Sequence, residues 1–230
     1  MSDVQKVQVG EVQLAYRVWG EEDAPPAVLL HCLGEDGEDW RGVVGRLAGT
    51  HRVYALDQRG HGLSDWPGEY GFARWRDDAI GFLQALGLER VTLIGHSLGA
   101  VAALLLAADR PELVDRLVLE EAAPPVPADP PQEAPDQPAG PQSFDWQAKL
   151  AVVAERNAPD PLWWEALAKI TAPTLVIAGG DASPIPQERL AEMAERIPDA
   201  RLVTVEGAGH LVHEDRPGEF LAAVTSFLAP

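Results

Sequence analysis

The chain has 230 residues, enough for one well-buried domain, and its 46% hydrophobic and 23% charged residues are ordinary for a globular protein. Its 36 acidic residues outnumber its 18 basic ones, which gives a formal charge of −18. This charge argues against binding to nucleic acid, an anionic membrane surface or a large polyanionic substrate, because each of these needs a cationic protein surface.

Cysteine usage and the first residues predict a cytoplasmic protein. Cys32 is the only cysteine, so no intrachain disulfide can form. The first ten residues have neither a cationic start nor a long apolar run, so we expect no export signal. The longest apolar stretch, around residues 100–108, is too short to cross a bilayer. The many alanines, arginines and prolines beside three lysines are typical of a high-GC bacterial genome.

Strand-like segments recur along the chain. Residues 7–9 and 12–18 alternate in polarity around Gly10-Glu11, a dipeptide suited to a tight turn, and predict an antiparallel pair. Six short apolar runs follow, as expected of strands that are buried on both faces of a parallel sheet. These runs cover residues 27–30, 53–56, 91–94, 117–119, 174–177 and 202–205.

Helical periodicity fills the gaps between these strands. The predicted helices cover residues 40–47, 75–86, 98–109, 190–197 and 220–228. Strands that alternate with helices after an antiparallel start predict the α/β class, with a mostly parallel eight-stranded sheet flanked by helices on both sides. We expect residues 1–230 to form one such domain.

One region breaks this alternation. Residues 124–141 contain eight prolines among eighteen positions, which excludes regular structure there. Two short helices are predicted after it, over residues 144–157 and 161–170. We therefore interpret residues 122–172 as a short helical cap inserted over the sheet edge. Its aromatic residues either anchor these helices or form an apolar wall for a substrate, and Trp146, Trp163 and Trp164 are the predicted pocket residues.

A serine motif lies between a predicted strand and a predicted helix. Its sequence is Gly95-His96-Ser97-Leu98-Gly99, which fits the G-x-S-x-G nucleophile elbow in the context that this turn needs. Small residues on either side allow the strained turn, which exposes the serine hydroxyl. The turn also directs the amide of Leu98 and the helix N-terminus towards a developing oxyanion. The alternative, a serine that only caps a helix, is favoured for the pentapeptide alone but not in this setting.

A loop histidine provides a candidate base for this serine. His210 follows the last predicted strand in a glycine-containing loop, and the carboxyl end of a parallel strand is well placed to meet Ser97. His213 lies three residues further on, and we expect it to support the loop or face solvent. After the third strand, Leu33 stands in a loop whose amide is placed to donate a second hydrogen bond to an oxyanion.

Four motifs, taken in order, resemble those of α/β-hydrolase-fold serine esterases with a short cap. They are Leu29-Leu30-His31, Asp57-Gln58-Arg59-Gly60-His61-Gly62-Leu63-Ser64-Asp65, Gly95-His96-Ser97-Leu98-Gly99 and Gly207-Ala208-Gly209-His210. The resemblance runs from about Val7 to Leu228. It implies that Ser97 is the nucleophile, that His210 is the general base, and that the amides of Leu33 and Leu98 form the oxyanion hole. Cys32 stands where the family usually has glycine.

The acid that completes the triad has two candidates. In most relatives it follows the seventh strand, where the usual position falls on Ala182 and Asp181 is one residue away. In some relatives the acid follows the sixth strand, and that position falls on Glu121. We favour Glu121, because a glutamate pair at the end of an apolar strand needs a partner and His210 provides one. Glu120 is then expected to face away or lie lower in the sheet.

The resemblance predicts an enzyme that cleaves a carboxylic ester or lactone of a small substrate through an acyl-enzyme intermediate. Three alternatives keep Ser97: a ligand-sensing or slowly hydrolysing receptor-like protein, a cofactor-free haloperoxidase or perhydrolase, and a hydroxynitrile lyase. Dehalogenases and epoxide hydrolases of this fold attack with aspartate and are excluded. The sequence has no phosphate loop, dinucleotide-binding glycine pattern or metal-ligand spacing, so we expect no cofactor and no metal.

Overall fold

The computed structural model describes residues 3–229 and contains the eight strands that the sequence predicts. They are β1 (Gln5–Val9), β2 (Val12–Trp19), β3 (Pro26–Leu30), β4 (Arg52–Leu56), β5 (Val91–His96), β6 (Val114–Glu120), β7 (Thr174–Ala178) and β8 (Ala200–Thr204). These strands form one sheet in the order β1-β2-β4-β3-β5-β6-β7-β8. β2 pairs antiparallel with both β1 and β4, and every other pairing is parallel.

Among residues 3–229, eight α-helices connect and cover these strands. They are α1 (Arg41–Leu47), α2 (Phe72–Ala85), α3 (Leu98–Asp109), α4 (Trp146–Asn157), α5 (Leu162–Ala166), α6 (Gln187–Arg196), α7 (Val212–Asp215) and α8 (Pro217–Leu228). Buried side chains of α2, α3 and α6 pack in one hydrophobic core, and those of α1 and α8 pack in a second. The sheet is therefore covered on both faces, as the alternating pattern predicts.

The burial of the central strands explains their continuous apolar runs in the sequence. Every residue of β5 and of β7 is buried, because helices cover both faces of these strands. α3 lies against them with an almost entirely apolar sequence, and all its residues except Asp109 are buried. β8 differs because it is the last strand of the sheet, and Leu202 at its centre is 38% exposed.

The segment between β6 and β7 is the irregular part of the chain. Residues 121–145 form neither helix nor ladder strand, apart from an isolated bridge between His61 and Phe144. α4 and α5 follow, and a 3-10 turn (Leu167–Lys169) replaces the second half of the helix predicted over residues 161–170. In the described part of the chain, no helix has the combined length and apolar character needed for a membrane crossing.

Candidate active site

Ser97 occupies a strained turn between β5 and α3. Its φ is 50° and its ψ is −110°, a backbone conformation that residues other than glycine rarely adopt. The turn depends on the glycines around it: a Cβ at Gly95 would overlap the backbone at Gly99, and a Cβ at Gly99 would overlap the Leu30 carbonyl. The Ser97 amide donates to the Glu120 carbonyl (3.0 Å), which fixes the turn to the end of β6.

His210 lies in the loop between β8 and α7 and borders the same cavity as Ser97. Its Nδ1 donates to Oε2 of Glu121 over 3.3 Å, and its carbonyl accepts from Nε2 of the buried His96 over 2.8 Å. The two contacts hold the ring and the backbone of His210 separately. A carboxylate at Nδ1 sets the tautomer in which Nε2 is free to accept a proton.

Glu121 is fully buried directly after β6, and its φ of 52° is again left-handed. Its carboxylate accepts from the Gly179 amide (2.6 Å), from the Ser183 hydroxyl and from Nε2 of Gln187 (3.4 Å), besides the contact with His210. Burial by itself raises the pKa of Glu121, but these hydrogen bonds, with His210 foremost, hold that pKa below its ordinary value. The group is therefore an ionised carboxylate at neutral pH.

Two residues whose amides are candidate oxyanion donors also border the cavity. Leu33 and Leu98 both line it, and within residues 3–229 neither amide donates to a protein acceptor. The Leu33 loop is fixed from below by His31, which donates from Nδ1 to the Cys32 carbonyl (2.7 Å) and accepts at Nε2 from the Gln58 amide (3.0 Å). An amide with no protein acceptor is a candidate donor to an anionic oxygen.

The cavity that joins these groups has a volume of about 500 Å³. Ser97, His210 and Glu121 all border it, and so do residues 122–129, which include the start of the proline-rich segment. This volume is within the range of pockets that bind small molecules. The arrangement can present a hydroxyl, an imidazole and two amides to one bound group.

Comparison with known proteins identifies a matching family. The profile described as the alpha/beta hydrolase family matches residues 27–224.

The chain belongs to the α/β-hydrolase family.

Relatives of this α/β-hydrolase include enzymes with named activities. It is 27% identical to the sn-1-specific diacylglycerol lipase of Mus musculus, over 91% of this chain and 83% of the relative. It is 26% identical to an esterase of Escherichia coli, over 88% of this chain and 92% of the relative. Among solved structures, a hydrolase from Pseudomonas aeruginosa PA01 superposes with a TM-score of 0.87 at 28% identity, over 99% of each chain.

The alternative acid of this α/β-hydrolase lies apart from the site. Asp181 is exposed in the 3-10 turn after β7, and no hydrogen bond among residues 3–229 joins it to His210. Ala182 at the usual position is exposed as well. Of the two candidate acids, only Glu121 contacts His210.

The structure corrects the predicted pocket residues. Trp146, Trp163 and Trp164 do not line the cavity. Trp146 donates from its indole nitrogen to the Pro135 carbonyl (3.3 Å), Trp163 packs edge-on against Phe72 (5.5 Å between ring centroids), and Trp164 lies 5.1 Å from the Arg196 guanidinium. These aromatic residues anchor the inserted helices, which was the alternative interpretation of the pattern.

A buried ion-pair network lies beneath the site, and the sequence did not indicate it. His213 is 1% exposed and contacts Glu120 through Nδ1 (2.8 Å) and Asp39 through Nε2 (3.2 Å). Since both ring nitrogens face carboxylates, the ring is doubly protonated. Burial opposes that charge, but Glu120 and Asp39 together raise the pKa of His213 to about 9. Helix α7, which carries His213, is too short to give a periodic signal.

The same network contains the groups of the described chain that could hold a metal. One group is Cys32, Asp39 and His96, the other is His96, Glu120 and His213, and in each the ligand atoms lie within 4.8 Å of one another. In the second group, both carboxylate oxygens of Glu120 already contact Nδ1 of His213 (3.0 and 2.8 Å). Burial raises the pKa of the Cys32 thiol in the first, which disfavours the thiolate that binds metal. The absence of a metal stays a prediction.

Proposed function

We propose that this chain is a serine hydrolase that cleaves a small carboxylic ester or lactone through an acyl-enzyme intermediate. The observation that supports it best is the contact between His210 Nδ1 and the buried Glu121 carboxylate, in a cavity that also contains Ser97. Relatives named as an esterase and as a diacylglycerol lipase favour the same reaction class. No resident cofactor takes part in this proposal.

The proposed reaction has two halves. In the first, Ser97 Oγ attacks the ester carbonyl carbon while His210 accepts the hydroxyl proton, and the oxyanion binds the amides of Leu33 and Leu98. The alcohol then leaves with the proton from His210, so that the acyl group remains on Ser97. In the second half, His210 takes a proton from water as the water oxygen attacks the acyl carbon, and His210 then returns this proton to Ser97 Oγ as the acid is released. Glu121 stabilises the imidazolium in both halves.

We also propose that residues 122–172 act as a short cap within a single domain that spans the chain. Support comes from the cavity wall, to which residues 122–129 and the α4 side chain Val152 both contribute. A cap of this size leaves room for a compact acyl or alcohol group, so short acyl esters and lactones are the first substrates to test.

The test is hydrolysis of 4-nitrophenyl acetate by wild-type protein and by Ser97→Ala. We expect a burst of nitrophenol followed by steady turnover in the wild type, and a loss of more than about 1000-fold in kcat for Ser97→Ala. Ser226→Ala, on the exposed side of α8, is the matched control and should retain activity. Activity that survives Ser97→Ala contradicts the proposal. A single burst without turnover indicates the receptor-like alternative instead.

A further inference from the structure

Three cationic side chains line the cavity of this acidic protein. Lys149, Val152 and Arg156 of α4 all border it, and their spacing of three and four residues places them on one face of the helix. Arg189 of α6 borders it as well. The sequence did not reveal this group, because a lysine and an arginine seven residues apart are typical of an exposed helix face.

None of these three cations has an anionic partner within the described chain, residues 3–229. The two most deeply buried arginines elsewhere are each paired: Arg17 contacts Asp57 (2.6 Å) and Arg59 contacts Asp78. Arg156 is partly buried without an ion pair, and burial lowers its pKa. A partly desolvated guanidinium without a counter-ion is unfavourable in the free protein. This indicates that an anion from solution can bind beside Arg156 in the cavity.

Neither the dipole of α4 nor a nearby carboxylate accounts for these cations. Arg156 lies in the last turn of α4, where a cation favours the helix dipole, but Lys149 lies near the N-terminus of the same helix, where a cation opposes it. The pKa of Lys149 is lowered by burial and then by the neighbouring Arg156, so the two charges also repel each other. Asp129 borders the cavity, yet it is exposed and forms no ion pair with any of the three.

We propose that the cavity binds a small ester or lactone that carries a carboxylate group, which Arg156 and Lys149 hold while Ser97 faces the scissile carbonyl. This inference rests on the proposed hydrolase function. The substrate class is the half-ester of a dicarboxylic acid, or a lactone with a carboxylate substituent. Arg156 offers the planar pair of donors that matches a carboxylate, and Lys149 adds a point charge at the same wall. The remaining surface, with its excess of acidic residues, does not compete for such an anion.

The experiment compares two esters with acyl chains of equal length, mono(4-nitrophenyl) glutarate and 4-nitrophenyl pentanoate. Only the glutarate ester carries a terminal carboxylate. In the wild type, we expect kcat/KM for the glutarate ester to be about ten times that for the pentanoate ester. Arg156→Gln and Lys149→Met should each reduce this ratio by about tenfold. Lys169→Met removes one positive charge from an exposed site outside the cavity and should leave the ratio unchanged.

The outcomes separate this inference from the function on which it rests. If both esters are cleaved in a Ser97-dependent manner with a ratio near unity, or if the control variant changes the ratio as much, the carboxylate inference is wrong and the hydrolase proposal stands. If neither ester is cleaved, the hydrolase proposal fails for these substrates. Calorimetric titration of glutarate then decides the inference, because binding that is weakened by Arg156→Gln supports it and an absence of binding overturns it.

Discussion

Glu121 and Asp181 are chemically similar side chains in opposite surroundings. The Glu121 carboxylate is buried and holds His210 from Nδ1, whereas Asp181 faces solvent. We predict that Glu121→Gln lowers kcat for 4-nitrophenyl acetate by about 1000-fold or more, because an amide neither fixes the tautomer of His210 nor stabilises its charged form. Asp181→Asn should stay within about twofold of the wild type, as expected for an exposed site.

Circular dichroism and thermal unfolding of both variants check that the comparison reports chemistry and not folding. If kcat collapses only in Asp181→Asn, the choice of acid is wrong. If both variants keep the kcat of the wild type, neither carboxylate serves His210.

Single residues could be predicted where backbone chemistry restricts the sequence. Ser97 and His210 stood out because glycines surround them at the ends of strands, and Glu121 stood out because a charge at the end of an apolar strand requires a partner. Lys149 and His213 gave no such signal. Their roles depend on which distant groups pack against them in the fold, and spacing along the sequence does not predict those contacts.

At the scale of an element, the start of α3 shows how closely a turn can depend on glycine. A Cβ at Gly99 overlaps the Leu30 carbonyl, while a Cβ at Gly45 within α1 meets nothing within 4 Å. We predict that Gly99→Ala lowers the free energy of unfolding by about 1–3 kcal/mol through overpacking. Gly45→Ala should raise it by about 0.5–1 kcal/mol, because alanine is the better helix former.

Urea denaturation of the two variants measures both effects with one matched substitution, since each glycine lies in a helix. A Gly99→Ala protein as stable as the wild type would mean that β3 and α3 can move apart at no cost. In that case the close approach of α3 to β3 would not be what requires glycine at this position.

Elements were predicted well where one periodicity dominated. Buried strands such as β5 gave continuous apolar runs, and α3 was predicted with the bounds that the structure has. The second inserted helix was predicted too long, because its apolar residues continue through a 3-10 turn after α5. The aromatic residues of the insertion could be located but not oriented. Their number indicates a packed surface, whereas the direction of each ring depends on how the proline-rich segment lies.

For the molecule as a whole, the buried network around His213 links stability to pH. Glu120 and Asp39 raise the pKa of His213 to about 9, from an ordinary value of 6.5. A base with a raised pKa in the folded state stabilises the fold below its unfolded pKa and loses that contribution as the pH rises through the folded value. We predict that the free energy of unfolding falls between about pH 6.5 and 9, by up to about 3 kcal/mol.

Denaturant titrations at several pH values measure this fall, and His213→Gln should reduce it, with a remaining slope from His96, whose pKa Glu120 and Asp39 also raise. His51→Gln is the control, because it removes a histidine near the surface and should leave the slope between those pH values intact. A wild-type profile that is flat over this range would mean that His213 is neutral in the folded protein.

The backbone at Ser97 and Glu121 has a consequence for protein engineering. Among residues 3–229 these are the two non-glycine positions with positive φ, and they follow the adjacent strands β5 and β6. A selection for heat resistance alone would favour glycine at Ser97, because glycine relieves the strain there. At Glu121, the loss of a buried carboxylate that accepts from the Gly179 amide and the Ser183 hydroxyl opposes that gain. The most thermostable descendants of such a screen should therefore include inactive proteins, and a screen that also requires turnover should retain the serine and the glutamate.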